Sequence, residues 1–109
     1  MLQPLNQFDG WRKGSKRHDW ARAKAEKWMV LCSKLGVEMI QVGSNDLADA
    51  DASDEDTAED MRWLAEFSSK LEPPVKIAYE CWCFSKRLND WEHTWRIVKL
   101  AVSDQVWLT

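Results

Sequence analysis

The sequence of 109 residues has little glycine, proline or cysteine, with four, three and three of them, and it carries no excess of positive charge. No apolar run approaches the roughly 20 residues of a membrane span, and Met1-Leu2-Gln3-Pro4 lacks the charged and apolar regions of a signal peptide. The formal net charge of -3 leaves no basic footprint for nucleic acid. We therefore expect a cytoplasmic protein without a nucleic-acid or membrane partner.

The three cysteines are an odd number without the spacing of a secreted scaffold, so reduced thiols are expected rather than a disulfide frame. Tryptophan, by contrast, is abundant: the chain has eight. A chain of this length forms one small domain with a modest core. Eight indole rings are more aromatic surface than such a domain easily buries.

Apolar spacing and turn residues predict an alternation of strands and helices. Residues 2–8 are extended or looped around Pro4, and a helix over 19–35 begins at Asp19 as N-cap and ends at Gly36. Ser53 and Asp56 resemble a capping box that opens a second helix, which ends before the prolines at 73 and 74. Strands are expected over 37–42 and 75–80, and a third helix over 90–101 begins at Asp90.

Each predicted helix has an apolar face that we expect to point into the core. In the first helix this face is Ala21, Ala25, Trp28, Cys32 and Leu35. In the second it is Ala58, Met61, Leu64, Ala65 and Ser68, and in the third it is Trp91, Trp95 and Val98.

The alternation of short apolar strands with helices predicts an α/β fold whose parallel strands are joined by right-handed crossovers. In such folds the chemistry lies where strands end and loops begin. Three strand exits carry polar residues, namely Gln3 and Asn6, then Ser44, Asn45 and Asp46, and then Glu80. A carboxylate at the end of the buried-looking strand "VKIAYE" requires a partner, and these residues together predict one shared rim.

Four stretches of the sequence closely resemble sugar phosphate isomerase/epimerase-like proteins that have a xylose-isomerase-like TIM barrel. They are "LQPLNQFDGW", "KWMVLCSKLGVEMIQVGSND", "DMRWLAEFSSKLEPPVKIAYE" and "NDWEHTWRIVKLA". The likeness is strongest to fungal members and to 3-dehydroshikimate dehydratases. It implies a partial (β/α)₈ barrel of about three βα units, with residues 1–101 as its central part and 102–109 as a divergent tail.

The resemblance also implies roles for individual residues. Glu80 falls at the end of the fifth barrel strand and would be a ligand of a catalytic divalent metal, which in the family is Mg, Mn, Co or Zn. Gln3 falls at the exit of the third strand. The substrate-binding candidates are Gln3, Asn45, Lys86, Arg87 and Asn89, and the substrate would be a small sugar or hydroxy acid.

A complete barrel of this type takes roughly 250 residues, so the resemblance implies a fragment. The family's remaining metal ligands come from later strands, and the chain leaves the family pattern after Ala101. In the intact family the metal polarises a substrate oxygen while another group removes a proton from the adjacent carbon. One carboxylate cannot hold a hard cation, so we expect this chain alone to lack the cofactor and to be inactive.

Several simpler interpretations compete with these roles. Glu80 could form a salt bridge with Lys86 or Arg87. "Cys81-Trp82-Cys83" with His93 lacks the paired spacing of a zinc site, and Asp49-x-Asp51-x-Ser53 imitates only the start of a calcium loop. The rival to the enzyme interpretation is a non-catalytic module that self-associates through the open edges of its sheet.

Overall fold

The computed structural model of this chain describes residues 2–47, 50, 52–80, 90–101 and 106–108, with 2–4 and 106–108 described at the level of the backbone. Strands and helices alternate along it. In order they are β1 (Leu2–Leu5), α1 (Lys16–Lys34), β2 (Met39–Gly43), α2 (Asp54–Ser69), β3 (Lys76–Glu80), α3 (Trp91–Ala101) and β4 (Val106–Leu108).

The four strands form one parallel sheet in the order β1-β2-β3-β4. Between β2 and β3 the register runs evenly from Met39 beside Lys76 to Gly43 beside Glu80. Parallel neighbours joined by helices are the arrangement that the alternating sequence predicts, and the α/β prediction is confirmed. Beyond it, the backbone of 106–108 adds a fourth strand beside β3, within the stretch that we expect to be a divergent tail.

The caps explain where the helices begin and end. The hydroxyl of Ser53 accepts a hydrogen bond from the Asp56 amide, which confirms the predicted start of α2. The predicted start of α1 at Asp19 is wrong, because Ser15 caps the helix about one turn earlier by accepting from His18. Gly36 follows the end of α1 with a φ of 72°, where a residue without Cβ avoids strain, as predicted.

Two predicted helix faces are wrong in part. Residues of α1 that face the core include Met29, whereas Leu35 at its C-cap is 61% exposed. On α3 the core side consists of Thr94, Ile97, Val98 and Ala101, whereas Trp91 and Trp95 are exposed. On α3 the smaller apolar side chains are buried and the two tryptophans are not. The predicted inner face of α2 is confirmed, since all five residues are buried.

One hydrophobic core fills the space between the sheet and the three helices. From the sheet it includes Ile40 and Val42 of β2 and Ile77 and Tyr79 of β3. Because side chains alternate along a strand, the residues between them belong to the opposite side of the sheet. None of the three described helices lies on this side, which we call the helix-free face; its side chains on β2 and β3 are those of Met39, Gln41, Lys76, Ala78 and Glu80.

Within the described ranges, no helix is both long enough and apolar enough to cross a membrane.

Candidate functional site

The carboxyl ends of β1, β2 and β3 lie at the same edge of the sheet, as they must when neighbouring strands are parallel. The backbone confirms how close the second and third ends are: the Ser44 amide donates to the Glu80 carbonyl oxygen over 2.9 Å. The loop after β1 joins them, because the Gln7 side chain donates to Asp46 over 3.4 Å. Polar residues from three separate strand exits thus meet along one rim.

Glu80 is the last residue of β3 and lies on the helix-free face, half-buried. The Gln41 side-chain amide donates a hydrogen bond to one of its carboxylate oxygens. Gln41 is also on the helix-free face, one strand away, so the neighbouring strand orients this carboxylate. A carboxylate held at the end of a parallel strand, away from the helices, is suited to binding a cation or a substrate hydroxyl.

The described residues do not make up a complete metal site. No group of three or more histidine, cysteine, aspartate or glutamate side chains comes together in this part of the chain. A hard divalent cation takes six or more oxygen or nitrogen ligands, of which one to several come from protein. Glu80 can supply one of them, with Gln41 orienting it.

The buried Asn45 amide connects two loops at this rim. Its Nδ2 donates to the Asp9 carbonyl oxygen over 2.8 Å, and its Oδ1 accepts from the Leu47 amide over 3.0 Å. These bonds hold the loop after β1 against the loop after β2. Asn45 therefore shapes the rim, and its predicted role in substrate binding stays a prediction.

The structure does not describe the side chains of the other predicted site residues. Gln3 lies in β1, where the structure describes the backbone. Lys86, Arg87 and Asn89 are outside the described residues, as are Cys81 and Cys83 of the possible zinc site and Asp49 and Asp51 of the possible calcium loop. The two possible salt-bridge partners of Glu80, Lys86 and Arg87, therefore lie outside the described residues.

Sequence reasoning missed a buried pair of residues that connects β3 to the loop after β1 beside the rim. The Tyr79 hydroxyl donates to the carboxylate of Asp9 over 2.5 Å, and both residues are fully buried. The pair joins β3 to the loop after β1 across 70 positions of sequence. The available signal was an aspartate close to the large apolar residues Phe8 and Trp11, because a carboxylate among core residues requires a donor.

A second buried carboxylate supports the same loop. Asp60 of α2 accepts from the Gly10 amide over 3.1 Å and from Arg22 of α1 over 3.0 Å, and His18 Nε2 lies 3.3 Å away. The Arg22 guanidinium also stacks over the Trp63 ring at 4.2 Å. Burial raises the pKa of the Asp60 carboxyl, while Gly10, Arg22 and His18 oppose that shift. These contacts tie α1, α2 and the loop after β1 together behind the site.

Comparison with known proteins identifies related sequences. The chain is 31% identical over 100 residues to a 3-dehydroshikimate dehydratase of Neurospora crassa, an overlap of 90% of this chain and 28% of that protein. It is 32% identical over 101 residues to a 3-dehydroshikimate dehydratase of Pseudomonas aeruginosa, which covers 93% of this chain and 15% of the relative. The chain thus spans less than a third of the length of either relative. No protein-family model matches it.

Solved structures share the fold. A xylose isomerase-like TIM barrel/4-hydroxyphenylpyruvate dioxygenase fusion protein superposes with a TM-score of 0.86 at 27% identity, covering 97% of this chain and 16% of that one. The IolI protein, solved with a zinc atom, superposes with a TM-score of 0.72 at 23% identity, covering 98% of this chain and 38% of that one. The four strands and three helices thus have the arrangement of one wall of a TIM barrel.

Proposed function

We propose that this chain, which is related in sequence to 3-dehydroshikimate dehydratases and has the fold of part of a xylose isomerase-like TIM barrel, contributes one wall of a metal-dependent active site. Glu80 is the metal ligand in this proposal. The observation that carries it is the placement of the Glu80 carboxylate at the end of β3, on the helix-free face, where Gln41 orients it.

The reaction class that we propose is dehydration or isomerisation of a small hydroxy acid or sugar derivative in the cytoplasm. Such reactions remove a proton from a carbon next to an oxygen-bearing carbon. Gln3, Asn45, Lys86, Arg87 and Asn89 are the proposed substrate-binding residues. The segment responsible is residues 1–101. A divalent metal would supply charge stabilisation to the substrate oxygen, and the other groups of the site would come from outside the described residues.

The number of ligands determines the metal affinity that we expect for this chain alone. Glu80 is one oxygen ligand, so we expect this chain alone to bind a divalent cation only weakly, at about 1 mM or above. Gln41 keeps the carboxylate directed away from the helices. The chain by itself is expected to show no turnover, because no group of three or more histidine, cysteine, aspartate or glutamate side chains comes together in its described residues.

Paramagnetic broadening by Mn²⁺ tests this proposal on the chain as it is. Titration of the ¹⁵N-labelled protein should broaden the amide signals of Gly43, Ser44 and Glu80 first. The Glu80→Gln variant should lose this effect. The matched control is Glu72→Gln, which removes the same charge from an exposed residue preceding the other end of β3. Equal broadening in both variants, or broadening centred on the acidic first turn of α2, would exclude Glu80 as the ligand.

A second candidate function is a non-catalytic module that associates with copies of itself. The exposed Trp91 and Trp95 side chains of α3 favour it, because large apolar side chains in contact with water mark interaction surfaces when they cluster.

A further inference from the structure

The backbone of Gln7, in the loop after β1, has an unusual conformation. Among the residues that the structure describes, Gln7 alone of the non-glycine residues has a positive φ, of 55°. Residues with a Cβ rarely adopt this left-handed region, where glycine fits without strain. Such conformations cluster at functional sites, because the surrounding structure retains them for what the residue does. A glutamine at this position therefore requires a role for its side chain.

Contacts of the backbone and of the neighbouring residues hold Gln7 in this conformation. The Trp11 indole Nε1 donates to the Gln7 carbonyl oxygen over 2.9 Å, and Trp11 is buried. Phe8, the next residue, is also buried in the core. None of these contacts involves the Gln7 amide group. The side chain is thus not needed for the fold of this turn.

The Gln7 side chain instead extends along the rim to the neighbouring loop. Its Nε2 donates to Asp46 Oδ1, in the loop after β2, over 3.4 Å, and both residues are half-buried. A hydrogen bond of this length is weak. It aligns the amide with the carboxylate, and a ligand can displace or share it at little cost.

The remaining hydrogen-bonding atoms of the two side chains define what they can bind. A carboxylate has two acceptor oxygens, and a primary amide has two N–H donors and one acceptor oxygen. Their mutual hydrogen bond uses one N–H and Asp46 Oδ1. With the described residues, Gln7 Oε1, the second Gln7 N–H and Asp46 Oδ2 make no hydrogen bond. The pair therefore presents two acceptors and one donor side by side.

Two hydroxyl groups on adjacent carbons match this set of atoms. Each hydroxyl donates one hydrogen and accepts another, so a diol can donate to Gln7 Oε1 and Asp46 Oδ2 and accept from Gln7 Nε2. The bond to the carboxylate is charge-assisted. An anionic group such as a phosphate would instead be repelled by Asp46. We propose that Gln7 and Asp46 bind the adjacent hydroxyl groups of a small polyhydroxy acid or sugar.

This diol subsite lies at the same edge of the sheet as Glu80. The loop that carries Asp46 leaves the sheet at Ser44, whose amide donates to the Glu80 carbonyl oxygen over 2.9 Å. The inference deepens the proposed function and rests on it for the role of the diol in a reaction. Binding of the diol itself requires no metal.

NMR titration of the ¹⁵N-labelled chain with shikimate, a cyclic acid with adjacent ring hydroxyls, tests the subsite. The matched ligand is cyclohex-1-ene-1-carboxylate, which has the same ring and carboxylate without hydroxyls. At about 50 mM, because a few hydrogen bonds in water give weak affinity, shikimate should shift the side-chain amide signals of Gln7 and the backbone signal of Asp46. Equal shifts from both compounds, or none from shikimate, would overturn the inference.

Variants of the two residues localise the binding. Gln7→Gly removes the side chain, keeps the carbonyl oxygen that accepts from Trp11 and suits the positive φ, so its urea midpoint should not fall. Asp46→Asn keeps the shape and removes the charge. In both, shikimate affinity should fall at least about ten-fold. The control is Glu38→Gln, an exposed carboxylate before the opposite end of β2, which should bind normally. Undiminished binding by either pair variant would contradict the subsite.

The Glu80→Gln variant separates this inference from the proposed function. In metal-free buffer it should retain the shikimate-dependent shifts, and Gln7→Gly should retain the Mn²⁺ broadening at Glu80. Shifts that persist in Glu80→Gln support the diol subsite whether or not Glu80 binds Mn²⁺, so the two proposals fail separately. Shifts that are lost in Glu80→Gln but kept in Gln7→Gly would place the hydroxyl contacts at Glu80 and overturn the inference.

Discussion

Asp9 and Tyr79 show how single residues hold the proposed site together. Both side chains are fully buried, and the Tyr79 hydroxyl donates to the Asp9 carboxylate. Charge-assisted hydrogen bonds of this kind are stronger than neutral ones, and a buried carboxylate that loses a donor retains its desolvation cost. The pair therefore fixes the loop after β1 beside the end of β3, which is the strand that presents Glu80.

Replacement of Tyr79 by Phe removes this donor with little change in shape. We expect the free energy of unfolding to fall by about 1.5–3 kcal/mol, measured by urea denaturation at pH 7. The control is Ile77→Val on the same strand, which removes one buried methylene and no polar contact, at about 0.5–1.5 kcal/mol. A loss below about 0.5 kcal/mol for Tyr79→Phe would show that Asp9 does not depend on the hydroxyl.

Asp60 should give a pH dependence opposite to that of an ordinary paired carboxylate. Burial raises the pKa of the folded carboxyl above its usual 3.8 despite Gly10, Arg22 and His18. The folded chain therefore holds this proton more tightly than the unfolded chain does. Its stabilising contribution is complete below about pH 3.8 and is lost as the pH rises through the folded pKa.

Urea denaturation of the protein and its Asp60→Asn variant between pH 4 and pH 7 measures this effect. The stability of the parent relative to the variant should increase as the pH falls. The control is Glu59→Gln, since a hydrogen bond from Lys13 lowers the pKa of Glu59 and the corresponding difference should decrease as the pH falls. If the two stability differences between parent and variant change in the same direction with pH, burial does not dominate the pKa of Asp60.

At the scale of elements, the caps decide where the helices begin. Ser53→Ala removes the acceptor for the Asp56 amide at the start of α2 and should lower stability by about 1 kcal/mol in thermal or urea unfolding. Ser69→Ala in the last turn of the same helix is the control, and it should change stability by less than about 0.5 kcal/mol because the side chain is exposed. Equal effects of the two substitutions would argue against capping by Ser53.

The same elements show how far the sequence predicts the structure. A polar cap followed by a single apolar stripe defines α2, and both its start and its inner face are predicted. Trp91 and Trp95 of α3 form a second stripe that competes with the smaller Ile97 and Ala101, and spacing alone does not tell which stripe meets the sheet. The start of α1 is missed because the first turn is polar and offers no apolar repeat.

Glu80 and the Asp9–Tyr79 pair also differ in how well the sequence alone predicts them. The carboxylate at the end of a strand is visible in a short local pattern, so its placement on the rim could be predicted from the sequence. The contact between Asp9 and Tyr79 joins residues 70 positions apart and depends on how β1 and β3 align across the sheet. Local patterns carry no information on that alignment.

At the scale of the whole molecule, the sheet and its helices have the arrangement of one wall of a TIM barrel, with polar residues along one rim and exposed apolar side chains on α1 and α3. The helix-free face has Glu80 at its carboxyl edge, and the exposed apolar side chains include Trp20 of α1, Leu35 at its C-cap, and Trp91 and Trp95 of α3. A single carboxylate does not hold a hard cation, so the site proposed at Glu80 requires further groups from outside the described residues.

The central claim is that Glu80 serves a dehydratase-like site, and a graft tests it most directly. Residues 2–101 would replace the matching stretch of the Neurospora crassa 3-dehydroshikimate dehydratase, and turnover of 3-dehydroshikimate would be measured. We expect the graft to be active, Glu80→Gln to reduce turnover at least about 100-fold, and Glu72→Gln to leave it unchanged. A folded graft that is inactive, or one that keeps its activity with Glu80→Gln, would contradict the account.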